Sequence, residues 1–486
     1  MPDAQAFLNL VKEQSKSFFS SVPEGTIIRV LSHLDADGLS SAAIATATLR
    51  QSEYPFRLSI LPTLDEDAVK ERIDEKDTHI IFLDLGSGQL SLLAEKLGDR
   101  HILILDHHEL DDACDPKDLP SGFFHVNPHL CGFDGNCDIS GSGVTYFWSK
   151  VMAAPSDLSA LALVGAIGDI QENNGFDGLN KHILEDALND QHIEQKRMLK
   201  MYGAHQKPLV RLLANSDLKI PGISSGDATE RFLTSLGIST SIGNLPTKLC
   251  DLTAGEMEKL AKAIIDKRKS LTKPDDIYWN SYLLRGEEDG TIRRDAREIS
   301  TLLNACGRLS KPSVGIGLLL CDDKCRQLAS VVHTAYKKKI VESIKWYREQ
   351  EDDQAVQRSE NVIAINAGKN VLPTMIGTLA SIIANDAKVE AGTYVLSLAD
   401  AENGMTKVSV RIAGSRDEEL ESHMKDIDLS GTMKSIIETF GQGQSGGHAM
   451  AAGAVIPQGK EQEFLQIAVP ELNKRPIMCA PVQKAD

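Results

Sequence analysis

The chain has 486 residues, of which 42% are hydrophobic and 25% are charged, and its formal net charge at pH 7 is −17. This length and composition predict a folded protein of two or three domains, and they exclude disordered, fibrous and membrane-spanning classes. The N-terminal stretch does not have the apolar core of a secretory signal, and eight cysteines are too few for a disulfide framework, so we expect a cytoplasmic protein with no membrane partner.

Short β-rich runs alternate with helical patterns in the N-terminal part of the chain. The predicted strands cover residues 26–35, 57–62, 78–86 and 101–109. The predicted helices between them cover residues 38–50, 65–73 and 89–99. Strands that alternate with helices predict βαβ units and a parallel sheet with helices on both faces.

Helical character dominates from about Asp157 to Leu303, with amphipathic helices predicted at 182–203 and 254–271. Turn signals in the segment 207–274 indicate a small helical insert. The α/β alternation returns after Pro312 with the apolar run 313–320. Beyond it we predict helices at 324–349 and 373–386, a polar linker at 349–360, and strands at 361–368, 393–400 and 407–414.

These patterns predict an α/β protein with a parallel-sheet domain, a helical insert, and a smaller α/β domain at the C-terminal end. The boundaries that we predict are 1–200 for the first domain, 201–300 for the insert with its connecting helix, and 301–486 for the last domain.

Four clusters of acidic and histidine residues stand out, and three of them follow predicted strands. They are His33, Asp35 and Asp37 in HLDADG, Asp84 in LDLGSG, Asp106, His107 and His108 in LDHHE, and Asp169 in VGAIGD. Because loops beyond the carboxyl ends of parallel strands form the ligand crevice, we expect the first three to converge at one edge of the sheet. Asp169 would reach the same place from the end of a helix.

Each cluster taken alone also has an ordinary structural interpretation. Asp35 and Asp37 suit a turn, Asp84 suits a helix cap, and an Asp-His-His triplet suits a solvated loop. Asp169 suits a helix C-terminus, although a carboxylate there opposes the helix dipole. The order of the four clusters, each after an apolar run, favours a shared site instead.

Carboxylates and imidazoles together suit a divalent ion such as Mn²⁺, and a carboxylate can bridge two ions. Two such ions about 3.5–4 Å apart can generate hydroxide and stabilise both oxygens of a displacement at phosphate. The residue types argue against a structural zinc site, which prefers cysteines and histidines in close pairs. The net charge of −17 argues against a protein that coats nucleic acid non-specifically, because such proteins usually carry a basic excess. It does not exclude a nuclease, since metal ions would neutralise part of the acidic charge at the site.

The motifs HLDADG, LDLG, LDHH and GAIGD resemble, in this order, the four motifs of the DHH phosphoesterases. That family includes RecJ exonucleases, nanoRNases, cyclic-dinucleotide phosphodiesterases and family II pyrophosphatases. GGHAMAAG (446–453) is similar to the GGHxxAAG signature of the DHH-associated substrate-binding domain, and LLNACGR (302–308) is similar to the NAxGR stretch of RecJ-type members. The stretch RDAREISTLLNACGR, PGISSGD and the insert resemble archaeal RecJ-like proteins of the GINS-associated type.

The resemblance implies two Mn²⁺ or Mg²⁺ ions that share one bridging carboxylate, Asp84. The other ligands would be His33 and Asp35 for the first ion, and Asp37, His107 and Asp169 for the second. His108 would face the scissile phosphate as hydrogen-bond donor or general acid. Asp106 would orient a neighbouring histidine.

The resemblance also implies a substrate-binding surface in the C-terminal domain. Gly446 and Gly447 permit a close backbone approach to a phosphate or sugar, and His448 can donate to the same anion. Arg411 occupies the place of a substrate-binding arginine in related domains, and Arg308 could contact phosphate from the connecting region. A glycine turn before a strand, and structural ion pairs for the two arginines, remain open as alternatives.

The sequence therefore predicts a metal-dependent phosphodiesterase that cleaves single-stranded DNA or RNA from an end to mononucleotides, in DNA replication or repair. One alternative is a phosphodiesterase for short oligonucleotides or cyclic dinucleotides, although the length and the insert favour a longer substrate. The other is a replisome interaction protein with secondary nuclease activity. In that case the insert would dock a GINS-type replication factor, with a lid or packing element as the simpler role.

Overall fold

The computed structural model describes residues 2–475 apart from 155–156, 173–174, 217, 219, 224, 269–273, 351–353, 387, 403, 415–426 and 449. The chain divides into two compact units, Met1–Val332 and His333–Asp486. The predicted boundaries at 200 and 300 remain predictions. None of the helices in the described ranges has the length and hydropathy that a bilayer crossing requires.

The first unit is built on a five-stranded parallel sheet. Its strands are β1 Ile28–His33, β2 Phe56–Leu61, β3 His79–Leu83, β4 His101–Leu105 and β5 Phe123–Val126, in the order β2-β1-β3-β4-β5. The helices of this part are α1 Ala4–Ser21, α2 Ala36–Gln51, α3 Glu66–Arg72, α4 Leu90–Leu97, α5 Gly141–Val151 and α6 Leu158–Gly168. Strands β3 and β4 are apolar and buried along almost their whole length, as expected of strands covered on both faces. The predicted parallel sheet is confirmed.

A mainly helical region completes the first unit. Its helices are α7 Gly178–Asn189, α8 Leu209–Ala214, α9 Gly226–Ser235, α10 Ala254–Arg268, α11 Ala296–Arg308 and α12 Pro312–Leu319. Two antiparallel pairs of strands accompany them, β6 Ile193–Leu199 with β9 Tyr278–Leu284, and β7 Ser241–Ile242 with β8 Leu245–Pro246. A hydrophobic core runs through the insert from Met198 to Ile277.

One local prediction in this region was wrong, and one apolar run for which no element type was predicted is a helix. The stretch 182–203 is not one helix, because helix α7 ends at Asn189 and strand β6 follows it. Strand β6 pairs with β9, a partner distant in sequence that a local periodicity does not reveal. The apolar run 313–320 forms helix α12, which starts at Pro312, and short apolar runs do not separate strand from helix by periodicity.

The second unit is a smaller α/β structure. The long helix α13 Asp323–Glu349 crosses the division of the chain at Val332. The strands are β10 Val356–Arg358, β11 Val362–Asn366, β12 Tyr394–Asp400, β13 Met405–Ile412, β14 Gln444–His448 and β15 Ala451–Pro457, in the order β10-β11-β12-β13-β15-β14. The helices are α14 Ile376–Ala384, α15 Leu429–Phe440 and α16 Glu461–Asn473. The predicted second α/β domain is therefore also confirmed.

Candidate metal centre

The turn after β1 places three of the predicted ligands at the carboxyl edge of the parallel sheet. Asp35 begins helix α2, and its Oδ1 accepts a hydrogen bond from the backbone N–H of Gly38 at 3.0 Å. A Cβ atom at Gly38 would lie 2.3 Å from the carbonyl oxygen of His33, so only glycine fits this turn. The turn brings Asp35 next to His33, with 2.9 Å between Asp35 Oδ2 and His33 Nδ1.

Asp84 follows strand β3 and lies at the centre of the cluster. Its φ of 57° is left-handed, a conformation that costs a non-glycine residue about 1–3 kcal/mol. Asp84 Oδ2 is 3.6 Å from His33 Nδ1, and Asp84 Oδ1 is 3.3 Å from His107 Nε2. The carboxylate therefore lies between two histidines that come from the ends of β1 and β4, the strands on either side of β3.

His107 joins the carboxylates of the second predicted group. Its Nε2 is 3.8 Å from Asp37 Oδ2 and 3.4 Å from Asp169 Oδ2. The Nδ1 of the same ring is 2.7 Å from the backbone carbonyl oxygen of Gly135. Three groups have ligand atoms within 4.8 Å of one another: His33 with Asp35 and Asp84, Asp37 with His107 and Asp169, and Asp84 with Asp106, His107 and His108. The structure thus brings together all six residues predicted as ligands.

Glycines of helices α5 and α6 let these helices approach the carboxylates closely. A Cβ at Gly141 would lie 2.6 Å from Asp84 Oδ1, and a Cβ at Gly165 would lie 2.4 Å from Asp37 Oδ1. The backbone N–H of Ser142 donates to Asp37 Oδ1 at 3.0 Å. Sequence reasoning did not single out Gly141 or Ser142, and it included Gly165 only as part of the GAIGD motif. Glycines inside apolar helical runs were the available signal, since they mark close packing.

Burial and mutual repulsion change the protonation of the cluster. Burial and the neighbouring Asp84 raise the pKa of Asp37 to about 7. Burial and Asp37 raise the pKa of Asp169 well above its ordinary value. Burial alone would lower the pKa of His107, but the carboxylates of Asp84 and Asp169 outweigh it and raise that pKa. The cluster therefore concentrates negative charge that protons or a bound cation must compensate.

The donor set fits a divalent cation. Within the described ranges, no residue donates a hydrogen bond to either carboxylate oxygen of Asp84 or to Asp37 Oδ2, although these atoms are buried. Buried carboxylate oxygens are normally hydrogen-bonded or coordinated, because burial without a partner is costly. Mixed carboxylate and imidazole ligands are typical of Mn²⁺ and related ions.

Asp106 and His108 form a pair beside this cluster. Asp106 is fully buried and accepts hydrogen bonds from the backbone N–H groups of Ser87 and His107, each at 2.8 Å. Its Oδ1 also lies 2.8 Å from His108 Nδ1. Burial alone would raise the pKa of Asp106, but the charge of His108 and these contacts lower it. The His108 side chain is 32% exposed, in contrast to the buried ring of His107.

Arg308 is half-buried in the last turn of helix α11, the helix formed by the LLNACGR stretch. This helix packs against the turn after β1. Asn304 Oδ1 accepts a hydrogen bond from the backbone N–H of Ala36 at 3.2 Å, and a Cβ at Gly307 would lie 1.7 Å from the carbonyl oxygen of Leu34. The structure therefore places this stretch directly beside the HLDADG turn.

The other predicted substrate-binding residues belong to the sheet of the second unit. Gly446 and Gly447 lie in β14, opposite Gly453 and Ala452 of β15, and Gly447 has a left-handed φ of 136°. His448 ends β14, and its side chain lies outside the described part of the structure. Arg411 lies in β13 and donates hydrogen bonds to Ser381 Oγ at 3.2 Å and to Ser409 Oγ at 3.0 Å.

The DHHA1 domain model matches residues 359–474, which fall in the second unit. An uncharacterized protein of Methanocaldococcus jannaschii is 30% identical over 443 residues, which cover 90% of this chain and 91% of that protein. The single-stranded-DNA-specific exonuclease RecJ of Salmonella typhimurium is 24% identical over 474 residues, 92% of this chain and 66% of that protein. The chain belongs to the RecJ-like DHH family.

Solved structures show that this RecJ-like DHH protein also shares the fold of its relatives. RecJ of Thermus thermophilus in complex with Mn²⁺ aligns with a TM-score of 0.58 at 18% identity, over 96% of this chain and 55% of that chain. CDC45 from Entamoeba histolytica aligns with a TM-score of 0.59 at 12% identity, over 96% of this chain and 98% of that chain. The RecJ-like chain thus spans little more than half the length of the Thermus protein. Membership in the family supports a phosphoesterase or nuclease, and the cluster supports the binding of divalent metal ions.

Proposed function

We propose that the chain is a two-metal phosphodiesterase that hydrolyses single-stranded nucleic acid from an end and releases mononucleotides, in DNA replication or repair. The observation that carries this proposal is the pair of buried carboxylates, Asp37 and Asp84, of which Asp37 Oδ2 and both oxygens of Asp84 have no hydrogen-bond donor among the described residues. At the carboxyl edge of the sheet, Asp84 lies between His33 and His107, and Asp37 lies beside His107. A buried and crowded cluster of carboxylates does not stabilise the fold, and it is suited to the binding of cations.

The residues that would hold the ions fall into two sets that share Asp84. They are His33 and Asp35 on one side, and Asp37, His107 and Asp169 on the other. When bound, two Mn²⁺ or Mg²⁺ ions supply a hydroxide nucleophile at neutral pH and stabilise the charge of the phosphate in the transition state.

His108 is the proposed proton donor to the leaving oxygen. Its Nδ1 proton is directed to Asp106 Oδ1 at 2.8 Å, which fixes the ring and leaves Nε2 as the atom that addresses the substrate. Asp106 is fully buried and also held by the Ser87 N–H, so it keeps its position while His108 exchanges a proton. This arrangement supports a general-acid role for a histidine with a partly exposed ring.

The second unit would bind the nucleic-acid strand. The N–H groups around Gly446 and Gly447 and the side chains of His448 and Arg411 are the proposed contacts to phosphate or sugar. We expect His448→Ala and Arg411→Ala each to weaken binding of a single strand by about 1–3 kcal/mol, the size of a charge-assisted hydrogen bond. Binding of labelled single-stranded DNA by fluorescence anisotropy checks this, with Arg358→Ala on the edge strand β10 as a matched control. Wild-type affinity in both test variants would contradict the assignment.

A second candidate function is that of a replisome interaction protein with secondary nuclease activity. The likeness to CDC45 of Entamoeba histolytica, which covers 98% of that chain, favours it. The exposed side chains of Ile242 and Leu245, paired across the β7–β8 hairpin of the insert, offer a surface for a GINS-type replication factor. We expect Ile242→Ser with Leu245→Ser to abolish association with such a factor in a pull-down and to leave hydrolysis unchanged. Retained association would show that the hairpin is not part of the interface with this factor.

The panel that tests the proposed function uses end-labelled DNA and RNA oligomers, single- and double-stranded, short and long, together with cyclic dinucleotides. We expect Mn²⁺-dependent release of mononucleotides from long single strands, and loss of that release in Asp84→Asn but not in the surface control Asp74→Asn. Preference for the shortest oligomers or for cyclic dinucleotides would instead support a small-substrate phosphodiesterase. Hydrolysis of none of these substrates, with partner association retained, would support the interaction protein.

A further inference from the structure

The connection between helices α6 and α7 carries a second polar side chain of interest besides Asp169. Gln171 is 6% exposed, and its Nε2 donates a hydrogen bond to the carbonyl oxygen of Gly135 at 2.9 Å. The same oxygen lies 2.7 Å from His107 Nδ1. Because a carbonyl oxygen has two lone pairs, it can accept from both groups at once. One backbone oxygen thus connects Gln171 to a histidine of the cluster.

The amide of Gln171 is itself held in one orientation. Asn180 is fully buried, and its Nδ2 donates to Gln171 Oε1 at 2.6 Å. Since the carbonyl oxygen of Gly135 can only accept, Gln171 must turn its nitrogen to Gly135 and its oxygen to the amide nitrogen of Asn180. Gln171 Nε2 also lies 3.5 Å from the carbonyl oxygen of Ile139. The side chain therefore links the loop around Gly135 to helix α7.

The loop around Gly135 lies directly against the backbone of His107. A Cβ atom at Gly135 would lie 1.8 Å from the carbonyl oxygen of His107 and 3.0 Å from His129 Nε2. Only glycine allows this approach, and a small displacement of the loop would move the carbonyl that faces the His107 ring. The position of the loop thus sets where the acceptor for His107 Nδ1 lies.

We propose that Gln171 is a positioning residue that fixes the Gly135 carbonyl and, through it, the tautomer and direction of the His107 ring. This inference rests on the proposed function, in which His107 is a metal ligand. With the Nδ1 proton directed to the carbonyl, Nε2 is the nitrogen that faces Asp37, Asp84 and Asp169 at 3.3–3.8 Å. A histidine binds a metal through its unprotonated nitrogen, and the partner of the other nitrogen sets which one that is.

The place of Gln171 in the chain makes the expected effect selective. Gln171 is two residues from Asp169. The connection between α6 and α7 therefore supplies the ligand Asp169 and also orients the ligand His107. Both ligands belong to the group of Asp37, His107 and Asp169, which would hold one of the two ions. The ion on the side of His33 and Asp35 should therefore be affected little.

The experiment is a calorimetric titration of Mn²⁺ into the metal-free full-length protein. In Gln171→Met the side chain keeps its length but has no donor, and we expect the affinity for one of the two ions to fall about 10–100-fold. The affinity for the other ion should stay that of the wild type. Gln206→Met is the matched control, because Gln206 donates to Glu298 of helix α11 and is not part of the cluster. It should lower the melting temperature and leave both Mn²⁺ affinities unchanged.

Asn180→Ala provides a second variant, since it keeps Gln171 but removes the donor that orients its amide. We expect a smaller loss of affinity for the same ion. Wild-type Mn²⁺ affinities in a folded Gln171→Met variant would overturn the inference, and if that variant does not fold, wild-type affinities in Asn180→Ala would overturn it. Absence of Mn²⁺ binding by the wild type, or unchanged binding in Asp84→Asn, would instead overturn the proposed function.

Discussion

The carboxyl edge of the parallel sheet and the insert at 207–274 bury opposite kinds of side chain. In the insert, apolar side chains such as Leu209, Leu260 and Ile264 are fully buried against one another. At the sheet edge, the buried side chains include the carboxylates of Asp37 and Asp84. Apolar burial stabilises a fold by itself, whereas buried carboxylates need a positive partner. The insert thus buries the kind of side chain that stabilises a fold, whereas the carboxylates at the sheet edge need protons or cations.

The backbone shows the same difference. In the insert, left-handed positions such as Gly222 and Gly237 are occupied by glycine, which adopts them without strain. At the sheet edge, Asp84 is left-handed although it is not glycine. Strain and buried charge at the same residue are typical of a functional site, where local rules are broken for chemistry. This difference supports the proposal that the chemistry takes place at the sheet edge and not in the insert.

The largest effect is expected from removing a carboxylate of the edge. Asp84→Ala or Asp169→Ala should reduce hydrolysis of single-stranded DNA more than about 100-fold, because each removes a ligand rather than core volume. Circular dichroism should show an unchanged fold. Wild-type turnover in Mn²⁺ by either variant would contradict the assignment of the edge.

A large effect of another kind is expected in the insert. Leu260→Ala leaves a cavity in a fully buried position and should lower the free energy of unfolding by about 2–5 kcal/mol. The affinity for Mn²⁺, measured at urea concentrations below the unfolding transition, should not change. Urea unfolding and a Mn²⁺ titration of the same sample check both statements, and a matching loss of Mn²⁺ affinity would show that the two regions are not independent.

A smaller effect is expected at the sheet edge, where a substitution should raise the free energy of unfolding. Asp37→Asn keeps an oxygen for the N–H of Ser142 but removes one charge from the crowded cluster, so the metal-free protein should gain about 0.5–2 kcal/mol in its free energy of unfolding. The same variant should lose Mn²⁺ affinity. Urea unfolding in the presence of EDTA measures the first effect, and a decrease in stability would mean that the negative charge of Asp37 stabilises the fold.

Much of the sheet could be predicted because each strand is a short apolar run followed by a turn. The same pattern located His33, Asp84 and His107, since strand ends in a parallel sheet share one edge. Strand β5 escaped prediction, because Phe123–Val126 is only four residues long and lies between turns without a clear alternation.

The hydrogen bonds and close contacts that hold the site residues in place could not be predicted from local sequence patterns. The carbonyl oxygen of Gly135 accepts a hydrogen bond from Gln171 and lies within hydrogen-bond distance of His107 Nδ1, although the three residues are far apart in the sequence. The close approach of helix α5 at Gly141 likewise depends on how the helices pack on the sheet. Such contacts follow from tertiary packing, and motif spacing carries no information about them.

The shared metal centre is tested by the number of Mn²⁺ ions bound per chain, measured by calorimetric titration of the wild type and of three single variants. We expect two ions in the wild type, weaker binding of both in Asp84→Asn, and weaker binding of only one in Asp35→Asn and of only the other in Asp169→Asn. Binding of two ions in Asp84→Asn with wild-type affinities would contradict a shared metal centre at the edge of the sheet.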